Sequence, residues 1–230
     1  MTDRSFSFAF PQDLVLALDG VGGTGIMPLS LMAATKLAGK NLRVKRFFWN
    51  HGIGRPFKDL LDREHINRKG TELAELIEEM QEADEFRTVQ IVAKSGGCLV
   101  AVKSMELLPE NVVTRTILLS PSISPSYDLS PAMKAAKEVN CFYSAFDRLI
   151  LGLGTSIFGT SDGVRTVGAG CVGFINPPRR CKFPDQYKKL SQEKWEPHML
   201  KQMHNGMHFG SSATPWLLHN VVPLLAKVVS

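Results

Sequence analysis

A serine flanked by small residues is the feature of the sequence best suited to covalent chemistry. The run Ala93-Lys94-Ser95-Gly96-Gly97 follows the apolar stretch VQIV and precedes CLVAVKSMELL, a pattern typical of a helix. A reactive serine at a sharp strand-to-helix turn needs small neighbours, because its backbone is strained and the strand and helix pack closely. The first N–H groups of the helix would then point at the atom that Ser95 attacks. The pattern predicts a nucleophile, with a plain Ser-Gly-Gly turn as the alternative.

A glycine-rich loop near the start of the chain is a second candidate for chemistry. Gly20, Gly22 and Gly25 follow the apolar run LVLALD with the spacing G-x-G-x-x-G. This spacing is found where a helix N-terminus binds the pyrophosphate of a dinucleotide. NAD binding calls for an acidic residue at the end of the next strand, but that strand ends FFWNH. Basic residues on the same strand leave an NADP-dependent oxidoreductase as an alternative function.

Candidate acids and bases follow later in the chain. Asp147 ends the predicted strand VNCFYSAFD, and His204 and His208 precede the last predicted helix. His208, which stands directly before Phe-Gly and that helix, and His204 are the two candidate bases. Asp162, on a Ser-Asp-Gly turn, is the reserve acid. We expect no metal site, because Gly206 interrupts any helix that would align the two histidines and no H-E-x-x-H motif is present.

The order Ser95, Asp147, His208 resembles that of the α/β-hydrolase superfamily, whose nucleophile, acid and histidine follow one another in this order. Ala93 stands where the family's serine turn usually has its first glycine. Asp19 stands where its H-G-x-G-G loop usually has histidine. The resemblance implies a small serine esterase or lipase without a large lid domain, working through an acyl-enzyme intermediate and without a cofactor. It also implies that the N–H groups of Val21 and Gly96 form the oxyanion hole.

The substrate is less closely defined than the chemistry. The resemblance implies a small-molecule carboxylic ester, with a thioester or a lipid as further options. A protein of this fold that only binds a ligand is a third class of function, because fold alone does not guarantee activity. The residues that could contact a substrate are Gly22, Trp49, His51, Lys94 and His204. Of these, Trp49 could equally be a core residue, and a lysine such as Lys94 more often points to solvent.

The elements that must carry these residues alternate along the chain. Short apolar runs such as LVLALD and TRTILLS predict strands buried on both faces, and longer runs with helical periodicity lie between them. The pattern predicts a single α/β domain over residues 1–230, with a doubly wound, mostly parallel sheet flanked by helices. We also predict helices over 130–138 and 148–158, a last strand over 162–175 and a surface excursion over 176–196.

Composition narrows the classes of partner. The chain has 230 residues, of which 44% are hydrophobic and 21% charged, as in ordinary globular proteins. The net charge is +5, but the basic residues are dispersed, which predicts a basic surface rather than a nucleic-acid interface. No apolar run approaches the roughly 20 residues of a membrane helix, so we expect no stable membrane insertion. The N-terminal residues lack a signal-peptide pattern and the four cysteines form no C-x-x-C pair, which favours a cytoplasmic protein. The oligomeric state is not predicted.

Overall fold

A computed structural model describes residues 12–83, 86–147 and 159–227. Its centre is a sheet of six strands in the order β2-β1-β3-β4-β5-β6, and every neighbouring pair is parallel. The strands are β1 (Gln12–Leu18), β2 (Leu42–Arg46), β3 (Phe86–Lys94), β4 (Val113–Leu119), β5 (Ala136–Tyr143) and β6 (Leu190–Lys194). The doubly wound parallel sheet predicted from the sequence is therefore confirmed.

The helices vary widely in length. The α-helices are α1 (Ile26–Leu37), α2 (Pro56–Leu61), α3 (Arg63–Glu82), α4 (Gly97–Met105), α5 (Ser130–Met133), α6 (Ala169–Val172), α7 (Thr214–Trp216) and α8 (Val222–Ala226). A π-helical stretch, Leu217–Val221, joins α7 and α8 into one C-terminal helix. Among the described residues, 3-10 helices cover Pro184–Lys189, Pro197–Gln202 and Gly210–Ser212. Within the three described stretches, none of these helices is long and apolar enough to cross a membrane.

The helices cover both faces of the sheet, as the uninterrupted apolar runs of the strands require. Successive side chains of a strand point to opposite faces. On β1, Leu14 and Leu16 belong to a core formed with α3 and α4. Val15 and Ala17 belong to a second core, formed with α1 and the C-terminal helix. Each residue of the run LVLAL is thus buried on one side or the other, which explains why this run contains no polar position.

The part of the chain after β5 differs from the sequence prediction. The last strand is β6, inside the segment that we predicted to be a surface excursion, whereas 162–175 contains the short helix α6. Only Leu190 of β6 is buried. A polar edge strand of this kind lacks the apolar signal on which the prediction depended. The helix predicted over 130–138 ends at Met133, because β5 begins at Ala136. The helix predicted over 148–158 lies outside the described residues.

The strand order creates a crevice at one point of the sheet. The chain passes from β1 to β2 on one side and then to β3 on the other side of β1. The loops that follow β1 and β3 therefore leave the sheet edge in opposite directions, which opens a crevice at the carboxyl ends of these strands. This topology sets the loop 19–25 beside the turn at Ser95.

Candidate active site

The turn after β3 has the strained backbone expected of a nucleophile. Ser95 has a φ of 50°, a left-handed conformation that residues other than glycine rarely adopt. Its N–H donates to the carbonyl oxygen of Leu119 over 2.9 Å, which ties the turn to the end of β4. A Cβ atom at Gly97 would collide with the carbonyl oxygen of Asp19. The second glycine after the serine is therefore required because the loop after β1 packs against this turn.

The two residues predicted to form the oxyanion hole lie against each other. A Cβ atom at Gly96 would lie only 2.7 Å from Cγ1 of Val21, and one at Gly20 would lie 3.3 Å from Cβ of Ser95. Neither the Val21 nor the Gly96 N–H donates to an acceptor among the described residues. Within the described part of the chain, both amides therefore lack a protein acceptor.

Asp19 stabilises the glycine loop from within. Its Oδ2 accepts hydrogen bonds from Oγ1 of Thr24, over 3.1 Å, and from the N–H of Gly25, directly before α1. A carboxylate thus already occupies the N-terminus of α1, where the dinucleotide alternative requires a pyrophosphate. Repulsion between the Asp19 carboxylate and a pyrophosphate would weaken dinucleotide binding at this loop. The N–H of Gly22 is also engaged, because it donates to Oδ2 of Asp59 over 2.8 Å. Gly22 therefore has no free amide to offer a substrate.

Asp59 is a residue of the site that sequence reasoning missed. Its fully buried carboxylate accepts hydrogen bonds from the Gly22 N–H, from Nδ2 of Asn50 and from the N–H of His51, each over 2.8 Å. It thereby joins the loop after β2 to the loop after β1. An aspartate in the first turn of a short helix gives no sequence signal for this role.

The structure assigns supporting roles to two of the predicted substrate contacts. Trp49 is fully buried, and its indole N–H donates to the carbonyl oxygen of Asp19 over 2.8 Å. His51 uses both ring nitrogens, at 3.0 Å from Asp59 and 3.2 Å from Asp62, and its ring stacks on His65. Both side chains therefore hold the loops in place, and their contact with a substrate stays a prediction.

His208 forms a close pair with Asp147. The His208 Nδ1 atom lies 2.7 Å from Oδ2 of Asp147, and both side chains are buried. Burial lowers the pKa of His208, the bonded Asp147 carboxylate opposes that shift, and the positive charge of Lys94 adds to it. A neutral imidazole that donates from Nδ1 leaves Nε2 as an acceptor, which is the state required of a general base.

His204 and Asp162, the alternatives for base and acid, are engaged elsewhere. The Nδ1 atom of His204 accepts the N–H of Gly206 over 3.0 Å, and its ring packs edge-on to that of Trp216. Burial lowers the pKa of His204 to about 4. Asp162 accepts hydrogen bonds from both the N–H and the hydroxyl of Ser124. His204 is thus a buried histidine that packs within the protein, and Asp162 braces the loop after β4.

Lys94 does not point to solvent. Its side chain is buried, and Nζ donates to the carbonyl oxygen of His208 over 2.6 Å and to Oγ of Ser211 over 2.9 Å. The residue next to Ser95 is therefore bonded to the loop that carries His208, although 114 positions separate the two in sequence. The expectation that such a lysine is solvated is wrong here.

A cleft of about 390 Å³ opens over these loops, within the size range of small-molecule sites. Its polar lining includes Asp19, Lys94 and His208. Its apolar lining consists of Val21, Ile26, Ile53, Pro56 and Phe209. Ile26, Ile53 and Phe209 are 47%, 84% and 63% exposed, so the cleft has an apolar rim.

No family model matches the sequence, and no curated protein matches it either. Among solved structures, the chain is similar to an esterase from Pyrococcus furiosus, with 10% identity, a TM-score of 0.50 and coverage of 91% of this chain and 84% of that one. A predicted CIB-like hydrolase from Thermoplasma acidophilum has 11% identity, a TM-score of 0.48 and coverage of 99% and 90%. A lipase/esterase from Lactobacillus plantarum has 12% identity, a TM-score of 0.45 and coverage of 96% and 90%. At these identities the likeness concerns the fold, and the chain has the fold of the α/β-hydrolase superfamily.

Proposed function

We propose that the protein is a serine hydrolase that cleaves carboxylic esters, with Ser95 as nucleophile, His208 as base and Asp147 as the acid that orients the base. The observation that carries the proposal is the buried His208–Asp147 pair, 2.7 Å apart, on a loop that is bonded to the residue preceding Ser95. A strained serine, an oriented imidazole and two amides without an acceptor among the described residues are the parts that acyl transfer needs.

The proposed reaction has two halves. Ser95 Oγ attacks the ester carbonyl carbon while Nε2 of His208 takes the hydroxyl proton. The same proton passes to the leaving alcohol as the carbon–oxygen bond of the ester breaks, which leaves an acyl group on Ser95. Water then attacks the acyl-enzyme while His208 takes its proton. The bond between the acyl carbon and Ser95 Oγ breaks, His208 returns the proton to Oγ, and the acid product leaves. The reaction consumes only ester and water, so it needs no cofactor.

The negative charge that forms on the carbonyl oxygen must be stabilised by hydrogen-bond donors that are already in position before the reaction. In the proposal these are the N–H groups of Val21 and Gly96, which have no acceptor among the described residues. One such donor contributes about 3 kcal/mol to the stability of the transition state. Asp59 supports the Val21 amide indirectly, because it fixes the adjoining residue, Gly22.

The cleft favours esters that carry an apolar group. Its exposed aliphatic and aromatic rim, formed by Ile26, Ile53 and Phe209, would bury the acyl or alcohol part of such a substrate. Each methylene group transferred from water contributes about 0.8 kcal/mol. A volume of about 390 Å³ suits a small molecule rather than a polymer chain.

The proposal is tested by hydrolysis of p-nitrophenyl esters of increasing acyl length. We expect turnover by the wild-type protein, with a lower KM for butyrate or hexanoate than for acetate, and no turnover by a folded Ser95→Ala variant. Equal turnover by the wild type and this variant would contradict the assignment of Ser95. Binding of the esters without turnover would instead support the non-catalytic alternative.

A further inference from the structure

We propose that Lys94 is a positioning residue for His208: its buried ammonium group anchors the loop that carries the imidazole and places a positive charge against His208. The effect on catalysis rests on the proposed function, whereas the coupling between the two side chains does not. Nothing in the resemblance to α/β hydrolases requires a lysine at the position before the nucleophile.

The anchor is built from two hydrogen bonds in the protein interior. Lys94 is 3% exposed, and its Nζ reaches the carbonyl oxygen of His208 at 2.6 Å and Oγ of Ser211 at 2.9 Å. Ser211 is also within 3.3 Å of Oγ of Ser120, at the end of β4. The ammonium group therefore joins the ends of β3 and β4 to the loop before the C-terminal helix. An ammonium group is costly to bury, so its two bonds must offset much of the lost hydration.

The charges around Lys94 act in opposite directions on the imidazole. Burial lowers the pKa of Lys94 to about 8, and the carboxylates of Asp147 and Asp19 oppose that shift. Near pH 7 the side chain is thus mostly protonated, and its charge lowers the pKa of His208 and also that of His204. Asp147 acts on His208 in the opposite sense. The lysine adds to burial in lowering the pKa of the resting imidazole, and the carboxylate stabilises the cation that forms during attack.

A role in binding an anionic substrate fits the geometry less well. Two of the three N–H donors of Lys94 are engaged by the protein. The side chain is also almost fully buried. A substrate contact would affect KM, whereas a positioning residue affects kcat and the ionisation of His208.

The decisive experiment titrates the His208 imidazole by NMR in the wild type and in Lys94→Met, with the resonance identified by its loss in His208→Asn. We expect the pKa of His208 to rise in Lys94→Met and to stay near the wild-type value in Lys94→Arg, which retains the charge. Ser211→Ala is the matched control, because it removes one anchoring acceptor but leaves the ammonium group. If Lys94→Met does not fold, Lys94→Gln carries the same expectation, since it also removes the charge.

Kinetics provide the second readout. We expect kcat of Lys94→Met to fall roughly ten- to a hundredfold, with little change in KM. Without its anchor the His208 imidazole would be displaced and would take the serine proton less efficiently. An unchanged His208 pKa in Lys94→Met, or a raised KM with normal kcat, would overturn the proposal. The titration needs no turnover, so it also separates this proposal from the proposed function. Failure of the proposed function would instead appear as ester hydrolysis that persists in Ser95→Ala.

Discussion

The Oδ2 atom of Asp147 lies 2.7 Å from Nδ1 of His208, although 61 positions separate the two residues in sequence. Asp147 follows β5, and His208 precedes the 3-10 turn that leads into the C-terminal helix. The contact fixes which ring nitrogen carries the proton and leaves Nε2 as the acceptor. In the proposed function this tautomer is what makes His208 a base.

Replacement of Asp147 by asparagine tests that relationship. Asparagine keeps the size of the side chain but can present an N–H to Nδ1, which favours the wrong tautomer. We expect kcat to fall by around 10⁴ with little change in melting temperature. Asp162→Asn is the matched control, because its carboxylate contacts Ser124 instead, and it should retain activity. Loss of activity in Asp162→Asn alone would instead identify Asp162, on the later turn, as the acid.

The two histidines of the loop before the C-terminal helix should respond differently to alanine. His208→Ala should lower kcat by several powers of ten, because the base is lost. His204→Ala should mainly lower the free energy of unfolding, because it removes a buried ring from Trp216 and an acceptor from the Gly206 N–H. A cost of about 2–4 kcal/mol is typical of such a change. Urea unfolding and esterase assays on both variants distinguish the roles, and a reversed pattern would make His204 the base.

Asp59→Asn tests the support of the glycine loop. The amide can place only one oxygen where the carboxylate now places two, so buried N–H groups of the loops after β1 and β2 lose an acceptor. We expect a loss of about 2–3 kcal/mol in stability and a decrease in kcat with little change in KM. Asp62→Asn is the control, because Asp62 caps α3 and asparagine is an equally good cap. Wild-type stability in Asp59→Asn would show that this carboxylate does not hold the loop.

His204 should also make the stability of the protein depend on pH. Its pKa is about 4 in the folded chain, compared with about 6.5 when unfolded. The unfolded chain therefore binds the extra proton as the pH falls from about 6.5 to 4, and the free energy of unfolding decreases over that window by at most about 1.4 kcal/mol per pH unit. In His204→Phe this contribution is absent. Urea unfolding at about pH 7 and pH 5 should show a smaller loss for the variant than for the wild type; equal losses would contradict the prediction.

The parallel sheet was predictable because its central strands are buried on both faces and carry a continuous apolar signal, as LVLAL of β1 does. The edge strand β6 was not, since four of its five residues are not buried. The turn at Ser95 was recognisable because close packing against Asp19 restricts its neighbours to small residues. The position of Asp59 and the direction of Lys94 depend on long-range contacts, 37 and 114 positions apart, that no local pattern encodes.

Covalent labelling of the full chain with a fluorophosphonate probe, followed by mass spectrometry of the modified peptide, tests the central claim most directly. The account predicts one adduct, on Ser95, which is absent from Ser95→Ala and forms much more slowly in His208→Ala. No labelling of the folded wild-type protein, or an adduct on another serine that persists in Ser95→Ala, would contradict it.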